Sequence, residues 1–272
     1  MIKNELKRRW AADEPTINGW LSIGNPFTAE IMAAQGYDSL TVDVQHGALD
    51  YANMLAMFQA MRASGVVPMA RVPWLEPGAI MKAMDGGAYG IICPMVNNAA
   101  EAAQLVEYMR YPPHGLRSFG PTRVNFSAGQ GYAAEANDEI LCIAMIETAE
   151  AVKNLEAIAA TPGIDGLYVG PADLTLGVTN GRLAPGFDRE EPEMVEVIQR
   201  IAKVAKANAI IAGIQCGSES YAAKAIGWGY SMVTLTNDVR LLATGARQSV
   251  SNMHALLGRD KADADTNAKG GY

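Results

Sequence analysis

The sequence predicts a single-domain (β/α)8 barrel, and three observations support this fold class. Eight short apolar runs recur along the 272-residue chain, and most are separated by amphipathic segments of helix length. The runs are continuously apolar rather than alternating, which is typical of parallel strands covered on both faces. No glycine-rich dinucleotide fingerprint follows the first run. This absence favours a closed barrel over an open doubly wound sheet.

The predicted strands and helices alternate along most of the chain. Strands are predicted at residues 19–23, 39–44, 67–72, 90–95, 141–147, 166–170, 210–216 and 231–236. Three helices are clear from their periodicity, at residues 148–160, 193–208 and 238–253. In the first of these, Thr148 is a candidate N-cap, and Val152, Leu155 and Ile158 form an apolar stripe.

Residues 111–137 interrupt this alternation. The stretch "YPPHGLRSFGPTRVNFSAGQGY" is rich in glycine, proline and serine. A loop of that length inside a compact domain is usually functional. Arg117, Ser118 and Arg123 within it are therefore candidate determinants of substrate specificity.

The bulk composition limits the class of protein. A net charge of −7 argues against a nucleic-acid-binding protein, which usually carries a basic face. Cys93, Cys142 and Cys216 are far apart, which argues against a disulfide framework or a zinc cluster. No apolar segment has the character of a signal peptide or a membrane span, so we expect a cytoplasmic protein without a membrane partner. We predict one domain at residues 1–258 and a polar, disordered tail at residues 259–272.

Polar and ionisable residues collect near the ends of the predicted strands. In a (β/α)8 barrel the loops after the strands form the active face, so these side chains are expected to meet at one rim. The candidates are Asp43, Gln45 and His46 after the second strand, Arg71 in the third, Asp85 ahead of the fourth, Glu147 in the fifth and Asp173 beyond the sixth.

Glu147 and Asp173 predict a metal site at this rim. Two carboxylates that lie close together repel each other and raise each other's pKa unless a positive charge lies between them. A divalent cation that prefers oxygen ligands, such as Mg²⁺ or Mn²⁺, would satisfy both carboxylates and keep open positions for a substrate. Such a cation could bind a 2-oxo acid and stabilise its enolate as a Lewis acid.

The other rim residues suit the remaining chemistry of an enolate. Arg71 would place positive charge where the enolate oxygen develops, and His46 would transfer a proton, with Asp85 orienting it. Backbone N–H groups of residues 170–173 could receive a carboxylate if a helix begins there. Structural alternatives exist for each residue: carboxylates often cap helices, Arg71 could simply pair with Asp43, and Asp85 could end a helix. Their coincidence at one rim favours a functional site.

Several motifs together resemble the HpcH/HpaI aldolase family. They are "DVQHGALD", "YPPHGLRSFGP", "AMIETAEA", "GLYVGPADL" and "IQCGS", and the likeness extends over about residues 19–257. The resemblance implies a metal-dependent class II aldolase, a lyase that reversibly cleaves a 4-hydroxy-2-oxo acid to pyruvate and an aldehyde. It also implies a homohexamer, built as a trimer of dimers, in which the barrel's last helix is exchanged between subunits.

The resemblance further implies a role for each candidate residue. Glu147 and Asp173 would hold Mg²⁺, Mn²⁺ or Co²⁺, Arg71 would stabilise the pyruvate enolate, and His46 and Asp85 would form the catalytic dyad. The remaining substrate-binding residues would be Gln45, Gly170, Pro171 and Ala172, with the backbone N–H of Ala172 meeting the carboxylate.

Two positions depart from the pattern of many family members. Gln45 stands where many have glutamate, and Met145 stands where many have glutamine. The Gln45 form resembles a subgroup of hydroxy ketoacid aldolases, some of which accept hydroxypyruvate as the donor. The donor therefore stays open between pyruvate and hydroxypyruvate.

Two other functions stay open on the sequence. One is a lyase acting on CoA thioesters, of the citrate lyase β or malyl-CoA lyase type, although no basic cluster for the CoA phosphates is evident. The other is a barrel that binds a small acid without catalysis. A Schiff-base aldolase is disfavoured because Lys82, Lys153, Lys203, Lys206 and Lys224 all fall in helix-like segments.

Overall fold

Eight parallel strands form one closed barrel. In the computed structural model, which describes residues 1–259, each strand pairs with the next in sequence and the eighth pairs with the first. The strands are β1 (Thr16–Leu21), β2 (Ser39–Asp43), β3 (Val67–Arg71), β4 (Gly90–Cys93), β5 (Leu141–Ile146), β6 (Gly166–Val169), β7 (Ile211–Cys216) and β8 (Met232–Leu235). The predicted (β/α)8 barrel is confirmed, and each predicted strand overlaps an observed one.

The first strand begins three residues earlier than predicted. The backbone N–H of Thr16 donates to the carbonyl of Ser231 at 2.8 Å, which joins this end of β1 to β8. Asn18 looks like a turn residue in sequence, yet its side chain is buried inside the barrel. Its amide donates to the hydroxyl of Thr234 at 3.0 Å, and its carbonyl accepts from Ser39 at 2.8 Å. The interior polar network, rather than local propensity, keeps this segment extended.

Helices surround the barrel and follow the strands, except for the first, which precedes β1. They are α1 (Glu5–Ala11), α2 (Pro26–Ala33), α3 (Tyr51–Met61), α4 (Pro77–Gly86), α5 (Ala99–Met109), α6 (Val124–Ser127), α7 (Tyr132–Glu139), α8 (Ala149–Lys153), α9 (Leu155–Ala159), α10 (Pro171–Thr179), α11 (Pro192–Ala207), α12 (Glu219–Gly227) and α13 (Asp238–Leu256). None of the helices described is both long and apolar enough to cross a membrane.

Two of the three clearest helix predictions are confirmed as single helices, and the third is broken. The helices predicted at 193–208 and 238–253 correspond to α11 and α13. The segment predicted at 148–160 forms α8 and α9, with Thr148 capping α8 as predicted by accepting from Ala151 N–H at 3.0 Å. The break is at Asn154, whose side-chain amide donates to the carbonyl of Asn97 at 2.8 Å. A tertiary contact therefore overrides the local helical period.

The segment 111–137 is more ordered than a plain loop. It contains α6 and the start of α7, and Tyr132 and Arg117 anchor it in the interior. The Arg117 guanidinium lies 4.5 Å from the ring centroid of Tyr111 and 5.3 Å from that of Tyr132. These short helices have little apolar periodicity, which is why the sequence reads as a loop.

The last helix, α13, has little contact with its own barrel. Asp238 is its only buried residue, and its carboxylate accepts from the backbone N–H groups of Ser22 and Ile23 at 2.8 and 3.1 Å. Beyond this anchor, Leu242 and Leu256 are more than half exposed. The exchange of this helix between subunits stays a prediction. The predicted tail lies outside the described residues, apart from Arg259.

Candidate functional site

A cleft at the carboxyl ends of the strands brings four of the predicted site residues together. Arg71, Gly170, Ala172 and Asp173 line it, and Met145 contributes to its wall. These residues come from β3, β5 and the junction between β6 and α10, so distant segments of the chain converge on the rim that the fold predicts. We call this site the cleft.

A buried ion pair fixes Arg71 at the cleft. Its Nε donates to Asp43 Oδ1 at 2.8 Å and its Nη2 donates to Asp43 Oδ2 at 2.6 Å, so the pair is bidentate. Trp20 Nε1 donates to Asp43 Oδ2 at 3.2 Å, and the Trp20 ring centroid lies 4.9 Å from the guanidinium carbon. The pairing with Asp43 that was one alternative for Arg71 is confirmed, and Arg71 lines the cleft as well.

The charge of Asp43 survives its burial. Burial alone would raise the pKa of this carboxyl, but the hydrogen bonds and charge of Arg71, with the N–H of His46, outweigh that effect and hold the pKa below its ordinary value. Asp43 Oδ1 also accepts from the backbone N–H groups of Gln45 and His46, at 3.1 and 3.2 Å. The carboxylate therefore holds the guanidinium on one side and the loop that carries His46 on the other.

The side chains of this loop differ in their surroundings. That of His46 is exposed at the end of β2. That of Gln45 is half-buried, and its Oε1 is buried without a hydrogen-bond partner among the described residues. Gln45 is not among the residues that line the cleft, and its predicted contact with substrate stays a prediction.

Glu147 is a buried acid beside Asp173. Only 3% of the Glu147 residue is exposed, and its Oε1 accepts from the backbone N–H of Met95 at 2.7 Å. Burial and, after it, the charge of Asp173 raise the pKa of Glu147 to about 7, while the Met95 N–H and Arg71 act in the opposite direction. The electrostatic effects of Asp173 and Arg71 on Glu147 agree with the expectation that the three side chains share one site.

The first turn of α10 supplies backbone N–H groups at the cleft. The helix begins at Pro171, and its N-cap, Gly170, makes no side-chain cap. N–H groups in the first turn of a helix have no intrahelical acceptor, and Ala172 presents this turn to the cleft. A Cβ on Gly170 would lie 2.5 Å from Met145 Cε and 2.9 Å from Glu147 Oε2, so a larger residue here would require these two side chains to shift.

The expectation that Asp85 shares this rim is wrong within one chain. Asp85 lies in the last turn of α4, which runs back from the end of β3 to the start of β4. It is therefore at the opposite end of the barrel from His46 and cannot orient that side chain in the same subunit. Its carboxylate instead accepts from Nη2 of Arg117 at 2.6 Å, and Arg117 Nη1 donates to the hydroxyl of Tyr132 at 2.9 Å.

Several residues of the cleft have no signal in the sequence. Trp20 and Tyr168 line it and stack with ring centroids 5.9 Å apart. The Tyr168 hydroxyl donates to Thr234 Oγ1 at 2.7 Å. Phe187 and Gln215 complete this wall. Because Trp20 and Tyr168 lie in largely buried strands, the sequence does not distinguish an aromatic residue that faces the cleft from one that packs in the core.

The carboxylates present suit a cation that prefers oxygen. Burial and, after it, the neighbouring acid Asp173 raise the pKa of Glu147, so a positive charge between the two carboxylates would relieve an unfavourable arrangement. Among residues 1–259 there is no group of three or more histidine, cysteine, aspartate or glutamate side chains placed to hold a metal. Two carboxylates completed by water and substrate fit Mg²⁺ or Mn²⁺ better than they fit a tetrahedral zinc site.

Comparisons with known proteins agree on one family. Residues 17–244 match the family described as HpcH/HpaI aldolase/citrate lyase. The chain is 39% identical over 253 residues to a hydroxypyruvate/pyruvate aldolase of Rhizorhabdus wittichii, covering 93% of this chain and 100% of that protein. It is 33% identical over 250 residues to a 5-keto-4-deoxy-D-glucarate aldolase of Salmonella arizonae, covering 91% and 96%.

A solved structure gives the same result for the fold. An HpcH/HpaI aldolase/citrate lyase family protein from Burkholderia cenocepacia superposes with a TM-score of 0.84 at 32% sequence identity. The superposition covers 92% of this chain and 99% of that one. The structural similarity thus spans nearly the whole barrel of both proteins.

Proposed function

The chain belongs to the HpcH/HpaI aldolase/citrate lyase family and is a lyase, and we propose that it is a divalent-metal-dependent class II aldolase. The proposed reaction is the reversible cleavage of a 4-hydroxy-2-oxo acid to an aldehyde and pyruvate or hydroxypyruvate. One observation carries this proposal: the buried carboxyl of Glu147 lies in the electrostatic field of both Asp173 and Arg71 at the carboxyl end of the barrel.

Glu147 and Asp173 would hold the cation, and Mg²⁺, Mn²⁺ and Co²⁺ are the candidates. When bound, the cation would supply Lewis-acid stabilisation of the enolate oxygen. The Met95 N–H already occupies Oε1 of Glu147, while Oε2 faces Gly170. The Met95 N–H thus holds the carboxylate through Oε1, and we propose that Oε2 would be the oxygen that binds the cation.

The substrate's acid group would be held by the chain itself. The backbone N–H of Ala172, in the first turn of α10, would receive the carboxylate of the 2-oxo acid, aided by the positive end of the helix. Pro171 has no N–H, so it shapes the turn without competing for this anion. Gly170 leaves room for the substrate and for Glu147 at the same place.

Arg71 and His46 would carry the charge and proton changes. Cleavage breaks the C3–C4 bond: the C4 hydroxyl loses its proton and becomes the aldehyde carbonyl, and the bonding electron pair stays on C3 as the enolate. Arg71, held rigidly by Asp43, would stabilise the negative charge on the enolate oxygen. His46 would accept the hydroxyl proton, and protonation of C3 would then release pyruvate.

A role for Asp85 requires a neighbouring subunit. Because Asp85 and His46 lie at opposite ends of one barrel, we propose that Asp85 of one subunit orients His46 of another in a homo-oligomer. The proposed assembly is the hexamer that the resemblance implies. The ion pair with Arg117 would hold the Asp85 carboxylate in place for this contact.

Hydroxypyruvate is proposed as a donor alongside pyruvate. The relative from Rhizorhabdus wittichii, named a hydroxypyruvate/pyruvate aldolase, supports this choice at 39% identity. Gln45 is neutral where other family members have glutamate, so one negative charge is missing beside His46. The Met145 side chain lies close to Gly170 and offers the substrate no hydrogen-bond donor.

Aldol cleavage before and after metal removal tests the proposed function. Release of pyruvate from a 4-hydroxy-2-oxo acid would be followed after EDTA treatment and after adding back Mg²⁺, Mn²⁺ or Co²⁺. We expect loss with chelator and recovery with metal. Activity indifferent to EDTA would refute the metal site, and turnover of CoA thioesters without turnover of free oxo acids would favour a CoA-thioester lyase instead.

A further inference from the structure

A second cavity lies at the amino ends of the strands, far from the cleft. Its volume is about 420 Å³, within the range of small-molecule sites, and its apolar wall includes Phe58, Met61 and Val66. Val67, the first residue of β3, also lines it, whereas Arg71 at the other end of β3 lines the cleft. The full length of a barrel strand therefore separates the two. We refer to it as the amino-end cavity.

Two arginines face this cavity. Arg62 follows α3 and donates from Nη2 to the carbonyl of Phe126 at 3.0 Å. Arg123 precedes α6 and donates from Nη1 to the carbonyl of Gly86. A smaller cavity of about 270 Å³ shares Arg62, Arg123 and Ser127 with the amino-end cavity, so both arginines border the two cavities.

These two cations have no acidic partner within the described chain. Among residues 1–259, neither Arg62 nor Arg123 has a carboxylate within 4.0 Å. Lys3, the other cation of the cavity, is already paired with Glu135 at 2.7 Å and Glu139 at 3.0 Å. Burial and, after it, the charge of Arg62 lower the pKa of Arg123, so the two cations repel each other in the absence of an anion.

The backbone around Arg123 is shaped to admit its guanidinium. Gly87 adopts a φ of 117°, and a Cβ at this position would collide with Arg123 Nη1. Only a glycine satisfies both the left-handed conformation and the close contact. Gly87 therefore leaves room for the Arg123 guanidinium at this place.

We propose that the amino-end cavity binds a small organic oxyanion that carries an apolar group. Its carboxylate or phosphate would lie between Arg62 and Arg123, where planar guanidinium groups suit such anions, and its apolar group would pack against Phe58 and Met61. None of the residues that line this cavity lines the cleft of the same chain.

Calorimetry with phenyl phosphate tests this site in the intact protein. We expect phenyl phosphate to bind more tightly than inorganic phosphate, which lacks the apolar group, and more tightly than phenol, which lacks the dianion. Arg62→Gln and Arg123→Gln should each weaken binding about tenfold, because each removes one charged hydrogen-bonding group. Arg182→Gln is the matched control and should leave binding unchanged, since Arg182 is an exposed arginine paired with Glu193 and does not line this cavity. Excess pyruvate with Mg²⁺ should not displace the ligand.

Three outcomes would overturn the proposal. Undiminished binding in the Arg62→Gln and Arg123→Gln proteins would place the ligand elsewhere, and displacement by pyruvate would place it in the cleft. Absence of binding to the wild-type protein, together with a smaller assembly mass of the Arg62→Gln protein in light scattering, would assign the two arginines to a contact between subunits. Arg62 is exposed, so its substitution keeps the test valid even if Arg123→Gln does not fold.

Discussion

At the residue scale, the protonation state of Glu147 affects both the stability of the fold and the affinity for a metal ion. Its pKa of about 7 lies well above the ordinary value of 4.5, so near neutral pH about half of the folded molecules hold a proton that the unfolded chain has released. A cation must displace that proton to reach the carboxylate. We therefore expect metal affinity to fall about tenfold for each pH unit below 7.

The same shift predicts how the stability of the metal-free protein depends on pH. Because the folded pKa of Glu147 is raised, the folded state binds more protons than the unfolded state between pH 4.5 and 7. This residue's contribution is thus complete below pH 4.5 and is lost as the pH rises through 7, by about 3 kcal/mol at most. Glu147→Gln stays neutral and should lack this part of the loss. Urea unfolding in EDTA at pH 5 and pH 8, at constant protein concentration, measures the difference, and parallel pH profiles of the two proteins would contradict it.

The buried Asp43–Arg71 ion pair also makes stability and activity depend on charge. Asp43→Asn keeps an oxygen for the backbone N–H groups of Gln45 and His46 but leaves Arg71 buried without its carboxylate. We expect a loss of stability of about 3 kcal/mol and a large fall in kcat, because breaking a buried pair leaves an uncompensated charge. Glu193→Gln, which breaks the exposed pair with Arg182, is the control and should change neither. Equal unfolding midpoints of the Asp43→Asn and control proteins would contradict the prediction.

The sequence predicts some site residues because the barrel topology dictates their position. Arg71, Glu147 and Asp173 follow from the rule that carboxyl ends of strands converge. Asp85 does not, because a residue just ahead of a strand lies at its amino end, the opposite rim. The sequence does not predict Trp20 as a site residue, for another reason. Its contact with Asp43 joins β1 to β2, and a local sequence pattern does not indicate a contact between strands.

At the scale of the element, the junction between β6 and α10 depends on one glycine. Gly170→Ala places a methyl group against Met145 Cε and Glu147 Oε2, at 2.5 and 2.9 Å before relaxation. We expect the barrel to remain folded while Glu147 shifts, so that metal affinity and kcat fall together. Gly227→Ala in α12 is the matched control, because nothing lies within 4 Å of the added methyl group. Metal titration by calorimetry compares the two, and unchanged affinity in Gly170→Ala would show that the junction tolerates the methyl group.

The same scale explains which elements the sequence predicts well. The sequence predicts the strands because each contains a short, mostly apolar run with both faces covered, which is a property of the strand itself. The helix predicted at 148–160 was broken by a hydrogen bond from Asn154 to Asn97, a residue more than fifty positions away. The short helices of the 111–137 segment were missed because they are held by Arg117 and its two tyrosine neighbours rather than by an apolar period.

At the scale of the whole molecule, a single chain exposes apolar side chains on its last helix and holds Asp85 far from its own cleft. The helix α13 is anchored through Asp238 and exposes apolar side chains such as Leu242 and Leu256 along its length. Exposed apolar surface of this kind is typical of contacts between subunits. Asp85 and its partner Arg117 likewise lie away from the cleft of their own chain. Both observations favour a homo-oligomer in which neighbouring subunits complete each other.

Complementation between two inactive variants tests this arrangement directly. His46→Ala and Asp85→Ala should each be inactive alone if both residues serve the same reaction. If Asp85 acts on a neighbour's His46, randomly mixed oligomers contain sites with both wild-type residues, and about a quarter of wild-type activity should return. Coexpression with different affinity tags, purification of the mixed species and the aldol cleavage assay measure this recovery. A mixture of His46→Ala and Glu147→Ala subunits is the control, because both residues belong to the rim of one chain, and it should stay inactive. Recovery in the control as well would mean that the cleft itself is shared between subunits, whereas failure of both mixtures would assign Asp85 to holding Arg117 within its own chain.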